Sequence, residues 1–212
     1  VPGSAASSAA VKLIDPDVRL MLQVREGNAA AFEELVVRYQ DRLVCVLEHL
    51  VGSRALAEDL AQEVFLRVYR YRDRYTPDAK FCTYLFTIAN HLAANALRDQ
   101  SRRREVQVVA DPSASGATSL DELAIAGSGQ LPTRVVDKAE LCAMVRQALG
   151  ALSERQRMAV LLNKFEGMSY AEIAAAMDLT PEAVKSLLAR AREHLRQVLE
   201  PYLSSGQQPQ VD

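Results

Sequence analysis

Ser169-Tyr170-Ala171-Glu172-Ile173-Ala174-Ala175-Ala176-Met177-Asp178-Leu179-Thr180-Pro181-Glu182-Ala183-Val184-Lys185-Ser186-Leu187-Leu188-Ala189-Arg190 is punctuated for two helices joined by a very short turn. Ser169 and Glu172 have capping-box spacing, in which side chains and backbone satisfy each other's orphan groups at a helix start. Thr180-Pro181-Glu182 marks a second start, because Thr caps, Pro fits the first turn without losing a needed donor, and Glu complements the helix dipole. Ala171, Ala174, Ala175 and Ala176 are small enough to let the helices approach at the steep angle of a helix-turn-helix. On the second helix Val184, Leu187, Leu188, Ala191, Leu195 and Val198 form the stripe expected to be buried, which leaves Glu182, Lys185, Ser186, Ala189 and Arg190 outward. A short polar and basic face of this kind suits a major-groove reader, where base edges are read by hydrogen bonds and phosphates are held by Arg or Lys. An ordinary helical hairpin with a charged exterior has the same pattern, and on these residues alone both readings stand.

Ser153 and Gln156 repeat the capping-box spacing, and Pro201 is expected to stop the last helix. Upstream, Asn28 is placed to cap a helix carrying Phe32, Leu35, Val36, Tyr39, Leu43, Val46, Leu47 and Leu50 at helical spacing, ended by Gly52. Ser53 caps the next, with the stripe Leu56, Leu60, Val64, Phe65 and Val68. Residues 72–80, containing Thr76-Pro77-Asp78, break the pattern, and a third long helix runs from about Phe81 towards Arg103. A short helix from about Asp17 to Glu26 completes a compact bundle.

From Glu105 the periodicity fails, and residues 111–119 (DPSASGATS) have the composition of a flexible connection. The expected organisation is therefore all-α and two-domain: a flexible or expression-derived N-terminus at 1–14, a helical bundle at 15–104, an acidic linker at 105–135, a helix-turn-helix domain at 136–203, and a flexible tail at 204–212. β-Branched and aromatic runs are too sparse for a sandwich or barrel, since aromatics are 6% of the chain.

The 212 residues carry 25 basic and 27 acidic groups, so the distribution of charge is more informative than its sum. Residues 62–104 hold 9 basic against 4 acidic side chains, ending in Arg102-Arg103-Arg104, whereas residues 105–138 hold 2 against 5. Basic clustering leaves an electrostatic footprint for nucleic acid, and it is equally what a solvated helix end looks like. The uncharged stretch from Phe81 to Leu97 contains Thr83, Thr87, Asn90, His91 and Asn95 and falls short of a membrane span. Cys45, Cys82 and Cys142 have no CxxC spacing, which argues for a reducing cytosol over a disulfide framework or zinc site, and Cys45 is expected in the core. No nucleophile, base and orienter can be assembled from His49, His91, His194 and the cysteines, and no phosphate loop is present, so neither an enzyme nor a metal or other cofactor is expected.

Taken in order, several blocks resemble an extracytoplasmic-function sigma factor, the small group IV class of bacterial transcription initiation factors. They are Gly27 to Leu35 (GNAAAFEEL), Ala57 to Phe65 (AEDLAQEVF), Phe81 to Asn90 ending Ile88-Ala89-Asn90, Leu152 to Arg157 (LSERQR), Gly167 to Ala174 (GMSYAEIA) and Val184 to Arg192 (VKSLLARAR). The resemblance covers the chain from about Leu20 to Tyr202 and implies a sigma-2 domain, a linker and a sigma-4 domain. It implies a cytoplasmic factor that binds core RNA polymerase at its β′ clamp helices and β subunit, recognises minus-10 and minus-35 promoter elements, and is restrained by an anti-sigma factor until stress releases it.

By that resemblance Asp59, Gln62 and Glu63 match the positions that grip the clamp helices. The residues independently support a shared face, because Asp59 and Glu63 are i,i+4 and Gln62 lies beside them. The break at 72–80 matches a loop that captures a base flipped from the melted minus-10 strand, for which Arg72, Arg74, Tyr75 and Lys80 offer charge and one stacking surface. The following helix is expected to hold the strand through Thr87, His91, Arg98 and Arg102. Thr180, Glu182, Lys185, Ser186, Ala189 and Arg190 would meet the minus-35 element. Three positions depart from the family pattern: Tyr84 where Trp is common, Asn95 where Asp is usual, and Leu187 where an Arg often follows Val-Lys-Ser, removing one phosphate contact. The competing reading is a helix-turn-helix regulator that works without polymerase.

Overall fold

The computed structural model describes residues 15–110 and 145–205, with side chains for 15–102 and 145–200. Among the described residues every regular element is helical. The elements are α1 (Pro16–Arg25), α2 (Ala29–Val51), α3 (Arg54–Arg70), a 3-10 turn (Arg72–Arg74), α4 (Phe81–Ala110), α5 (Glu154–Lys164), α6 (Tyr170–Met177) and α7 (Pro181–Ser205).

Local chemistry sets most helix ends. The Asn28 side chain accepts from the Ala31 amide, the Ser53 hydroxyl from the Leu56 amide, and both capping boxes, Ser153 with Gln156 and Ser169 with Glu172, are complete. Asp15 serves two helices: one carboxylate oxygen accepts from Asp17 in the first turn of α1, and the other from the Phe81 amide at the start of α4. Gly52 ends α2 at φ 73°, a left-handed conformation that costs a residue with a Cβ. Asp178 takes the same conformation at φ 54° in the turn between α6 and α7, where Thr180 then caps α7 by accepting from Ala183.

The bundle core is built from Val18, Met21, Leu35, Leu43, Leu47, Phe81, Leu85 and Phe86, all fully buried. Burying each such side chain contributes about 1.5–3 kcal/mol. The helix-turn-helix core is Met158, Leu161, Leu162, Ile173, Val184, Leu188 and Ala191. Of the four small residues expected at the helix approach, Ala174 and Ala176 are buried while Ala171 and Ala175 are exposed, and α6 packs on both α7 and α4.

Two expected boundaries move. Helix α4 continues to Ala110 instead of ending near Arg103. Residues 101–110 contain no breaker; the first is Pro112, which disfavours helix at Asp111. Periodicity failed earlier because an amphipathic stripe reports packing, not helicity. Helix α7 runs through Pro201 to Ser205. There the proline removes one bond, to the carbonyl of the exposed Gln197, near a helix end. The expected N-terminus at 1–14, the linker from residue 111 on, Cys142 and the tail beyond 205 lie outside the described residues.

Candidate nucleic-acid and protein-docking interfaces

The first surface lies on α3. Asp59 and Gln62 are exposed and Glu63 is half-buried, so the helix does bring the three predicted docking residues to its surface. Glu63 accepts from Arg67 Nε at 2.7 Å, one turn on, while Asp59 enters no ion pair among the described residues. Gln62 also lines an apolar groove of about 810 Å³ between α2 and α3, with Phe32, Val36, Phe65, Leu66 and Tyr69. Leu66 and Tyr69 are among the large apolar side chains that the bundle leaves exposed. Sequence reasoning missed the groove because its walls come from two helices whose outward positions are only occasionally apolar.

The second surface begins at the loop before α4. Arg72 is half-buried and Arg74 exposed. The Arg72 guanidinium lies 4.3 Å from the Tyr69 ring centroid, and that of Arg74 lies 5.7 Å from the Tyr71 ring centroid. Tyr75, expected to offer the stacking surface, is only 3% exposed. Its ring packs edge-on against Tyr84 at 5.1 Å, and Arg25 donates to its carbonyl at 3.3 Å, so the tip of α1 and the start of α4 enclose it. The aromatics exposed beside this loop are instead Tyr69 at 42% and Tyr71 at 46%. The signal was the alternation Tyr69-Arg70-Tyr71-Arg72-Asp73-Arg74-Tyr75, whose rings cannot all face one way. The Tyr75 hydroxyl and Thr83 Oγ1 are buried without hydrogen-bond partners.

Along α4, Thr87, His91, Arg98 and Arg102 recur at spacings that share one helix face, and His91, Arg98 and Arg102 are exposed. The Thr87 hydroxyl donates to the Thr83 carbonyl at 2.7 Å. Lys80 is pinned to Glu172 of α6 at 2.8 Å, which holds its pKa above the usual lysine value. Burial alone would raise the Glu172 carboxyl, but hydrogen bonds from Lys80 and Ser169 outweigh it and hold the group below the ordinary carboxylate value.

The third surface is the outward face of α7, where Thr180, Glu182, Lys185, Ser186, Ala189 and Arg190 are all exposed while Val184, Leu188 and Ala191 are buried. Arg190 Nη2 donates to Ser186 Oγ at 2.9 Å, which fixes the guanidinium on this face. Leu187 is half-buried, so packing occupies it where an arginine would have been exposed. No cluster of His, Cys, Asp or Glu able to hold a metal occurs among the described residues.

Residues 35–103 match the family model for Sigma-70 region 2, and residues 142–195 the model for Sigma-70, region 4. The chain is 33% identical over 194 residues to the RNA polymerase sigma-H factor of Pseudomonas aeruginosa, covering 89% of this chain and 96% of that protein. It is likewise 33% identical over 192 residues to the ECF RNA polymerase sigma-E factor of Escherichia coli K12, covering 88% and 96%. Among solved structures it is similar to CnrH in complex with the cytosolic domain of CnrY, with TM-score 0.64 and 25% identity over 88% of this chain and 99% of that one. The fold is also that of RpoE in complex with the anti-sigma factor NepR from Bartonella quintana, with TM-score 0.57 and 24% identity over 80% and 96%. Two region models in the right order and relatives matched nearly end to end place the α3, α4 and α7 surfaces in one family: the chain belongs to the extracytoplasmic-function sigma factors of bacterial RNA polymerase.

Proposed function

We propose that this sigma factor docks on core RNA polymerase through Asp59, Gln62 and Glu63, engages the melted minus-10 strand at the loop before α4 and along α4, and reads the minus-35 duplex with α7. The observation that carries the reading is the α3 surface. Exposed Asp59 and Gln62 beside an apolar groove suit a protein partner, and the Asp59 carboxylate disfavours DNA, whereas the regulator alternative needs no such face. Clamp helices of β′ fit this face, and the β subunit is the natural partner of the α7 domain's remaining surface. The chain's role is recognition and melting, so it needs no catalytic group of its own. Its place of action is the cytoplasm with the polymerase; among the described residues no helix is long and apolar enough to cross a membrane. RpoE is similar in fold and was solved with an anti-sigma factor, and an inhibitor of that kind is expected to restrain this chain until a stress signal releases it.

Transcription from a template carrying a pre-melted bubble, with core polymerase and with or without this chain, tests the proposal. Start-site-specific transcripts are expected only when the chain is present. Tight, sequence-specific duplex binding by the chain alone at physiological salt, without stimulation of polymerase, would favour the regulator reading.

At the minus-10 surface, Tyr71 takes the stacking role that buried Tyr75 does not offer. Stacking of one base on an aromatic side chain contributes about 1–3 kcal/mol by alanine substitution. Tyr71→Ala is therefore expected to weaken holoenzyme binding to a single-stranded minus-10 oligonucleotide about tenfold, and Tyr71→Phe to preserve it. Equal binding by all three proteins removes Tyr71 from the interface.

A further inference from the structure

Residues 72–80, the loop before α4, have little of their own to hold them in one form. The Arg74 amide donates to the Tyr71 carbonyl at 3.0 Å, the Tyr75 amide to Arg72 at 3.1 Å, and the Asp78 amide to Thr76 at 2.9 Å, all within three residues. Of the nine residues, Tyr75 alone is buried. A segment that buries so little gains little to offset the entropy of ordering its backbone.

Its backbone is held from distant sequence at two points, and both holds come from α1. In the last turn of α1, Arg25 Nη1 donates to the Tyr75 carbonyl at 3.3 Å. At the N-cap of the same helix, Asp15 accepts from the Phe81 amide at 3.3 Å. The ten residues of α1 span about 15 Å, so opposite ends of one helix hold opposite ends of the segment from Tyr75 to Phe81. The helix is itself a fixed strut. Val18, Met21 and Val24 are buried, the Tyr39 hydroxyl of α2 donates to Asp17 at 2.5 Å, and Arg38 pairs with Asp17 at 2.6 Å. It also packs directly on the 3-10 turn.

The carbonyl that Arg25 holds belongs to the residue at which the loop turns inward. With the Tyr75 ring edge-on to Tyr84, Tyr71 stays outside and the Arg74 guanidinium lies by its ring. We propose that Arg25 is a positioning residue for minus-10 recognition, holding the loop through the Tyr75 carbonyl in the form that presents Tyr71 and Arg74 to a captured base. The proposal deepens the minus-10 reading above and rests on it. Without the bond the loop samples other forms, and the apparent affinity for the strand falls by the fraction that remains competent. Asp15 serves the other end, but it also caps α1, so its loss weakens the helix as well as the loop. Arg25 is the cleaner probe, being exposed and bonded to the loop alone among the described residues. Because it is exposed, direct contact with a phosphate is the rival explanation.

The test titrates holoenzyme carrying the native chain, Arg25→Ala or Arg25→Lys with a single-stranded minus-10 oligonucleotide, and with versions in which an abasic site is moved along the strand. The position at which base removal weakens native binding most is the captured one. Arg25→Ala is expected to weaken binding of the intact strand about three- to tenfold, the scale of one hydrogen bond, with an unchanged salt slope. On the strand abasic at the captured position the effect of Arg25→Ala should vanish, since no base is left for the loop to hold. Arg25→Lys keeps a donor and should recover most of the loss. Circular dichroism and core binding, both expected to match the native chain, show that the variants are folded. Native affinity in Arg25→Ala overturns the proposal. A loss that persists in full on the abasic strand also overturns it, and a salt slope lower by about 1 then places Arg25 on a phosphate. Failure of the minus-10 reading would look different and would overturn both: no abasic position would matter to the native chain, and Tyr71→Ala would bind as the native chain does.

Discussion

Charge reversal at Asp59 and Glu63, to Lys at both, is expected to weaken core-polymerase binding by about 3 kcal/mol, roughly a hundredfold in Kd, while the chain stays folded. Reversal does more than delete a favourable pair, because it sets like charges against the cations that the native acids attract. The two residues contribute unequally to the fold. Asp59 is exposed and enters no ion pair among the described residues, so its replacement costs α3 little. Glu63→Lys loses the partly exposed i,i+4 pair with Arg67 and places like charges one turn apart, a cost of about 0.3–0.5 kcal/mol from the lost pair. A small fall in Tm therefore accompanies a large fall in affinity. Fluorescence titration of labelled core with each variant, alongside circular dichroism, separates the two. A folded double variant that binds core at native strength would remove Asp59 and Glu63 from the docking face and leave the groove of Phe32, Leu66 and Tyr69 as its centre.

The salt dependence of the same measurement separates the contributions of charge and groove. Exposed ion pairs are screened over a Debye length of about 8 Å at physiological ionic strength, whereas burial of Leu66 and Tyr69 in a partner is not. Charges steer and register the encounter, and the apolar wall supplies area. In the native chain, affinity is expected to fall with salt towards a floor set by the groove; in the charge-reversed chain it should start near that floor and change little.

How much of this was legible beforehand follows from how local each cause is. The starts at Asn28, Ser53, Ser153 and Ser169 could be read because a cap and its partner amide lie within three residues. The α7 face could be read because one helical period separates buried Val184, Leu188 and Ala191 from exposed Lys185, Ser186 and Arg190. Tyr75 could not, because the loop that holds it has no period, and its burial is decided by Arg25 and Tyr84 from other elements. Asp15 shows the same limit: its cap on α1 is local, but its bond to the Phe81 amide joins positions 66 residues apart.

Arg157 is the extreme case. Its interdomain partners are backbone carbonyls 108 and 107 residues upstream, and every residue other than its own side chain could change without altering their chemistry. The block Leu152 to Arg157 places the arginine, but nothing in it points to these partners. In the sequence Arg157 reads as an exposed cation in a helix's first turns, where it would be mildly unfavourable to the dipole. Its burial against another helix's C-terminus turns that disadvantage into the joint on which the domains meet.

Arg190→Ala is expected to weaken minus-35 binding by about 1–3 kcal/mol, and the way it does so identifies what Arg190 touches. If the guanidinium holds a phosphate, affinity should fall equally for all promoter variants and the salt slope should drop by about 1, one counterion fewer being released. If it reads a base edge, the loss should appear on the preferred sequence and vanish at one substituted position. The structure adds a second arm to this measurement. Ser186 Oγ accepts from Arg190 Nη2 at 2.9 Å, and the two are one turn apart on the exposed face of α7. A guanidinium fixed this way loses less rotamer freedom on binding than a mobile one, so Ser186→Ala should weaken binding in the same sense but less. If Ser186 acts by holding Arg190, its effect should disappear once Arg190 is already alanine, a non-additivity that a double-mutant cycle reads directly. If instead the two losses add, Ser186 contacts DNA on its own account. The holoenzyme on duplex promoter DNA is the material for the measurement, since polymerase is expected to hold both DNA-binding domains on their two promoter elements at once. Native affinity, slope and base preference in Arg190→Ala would take Arg190 out of the interface and shift the recognition role to Lys185, the remaining cation among the six.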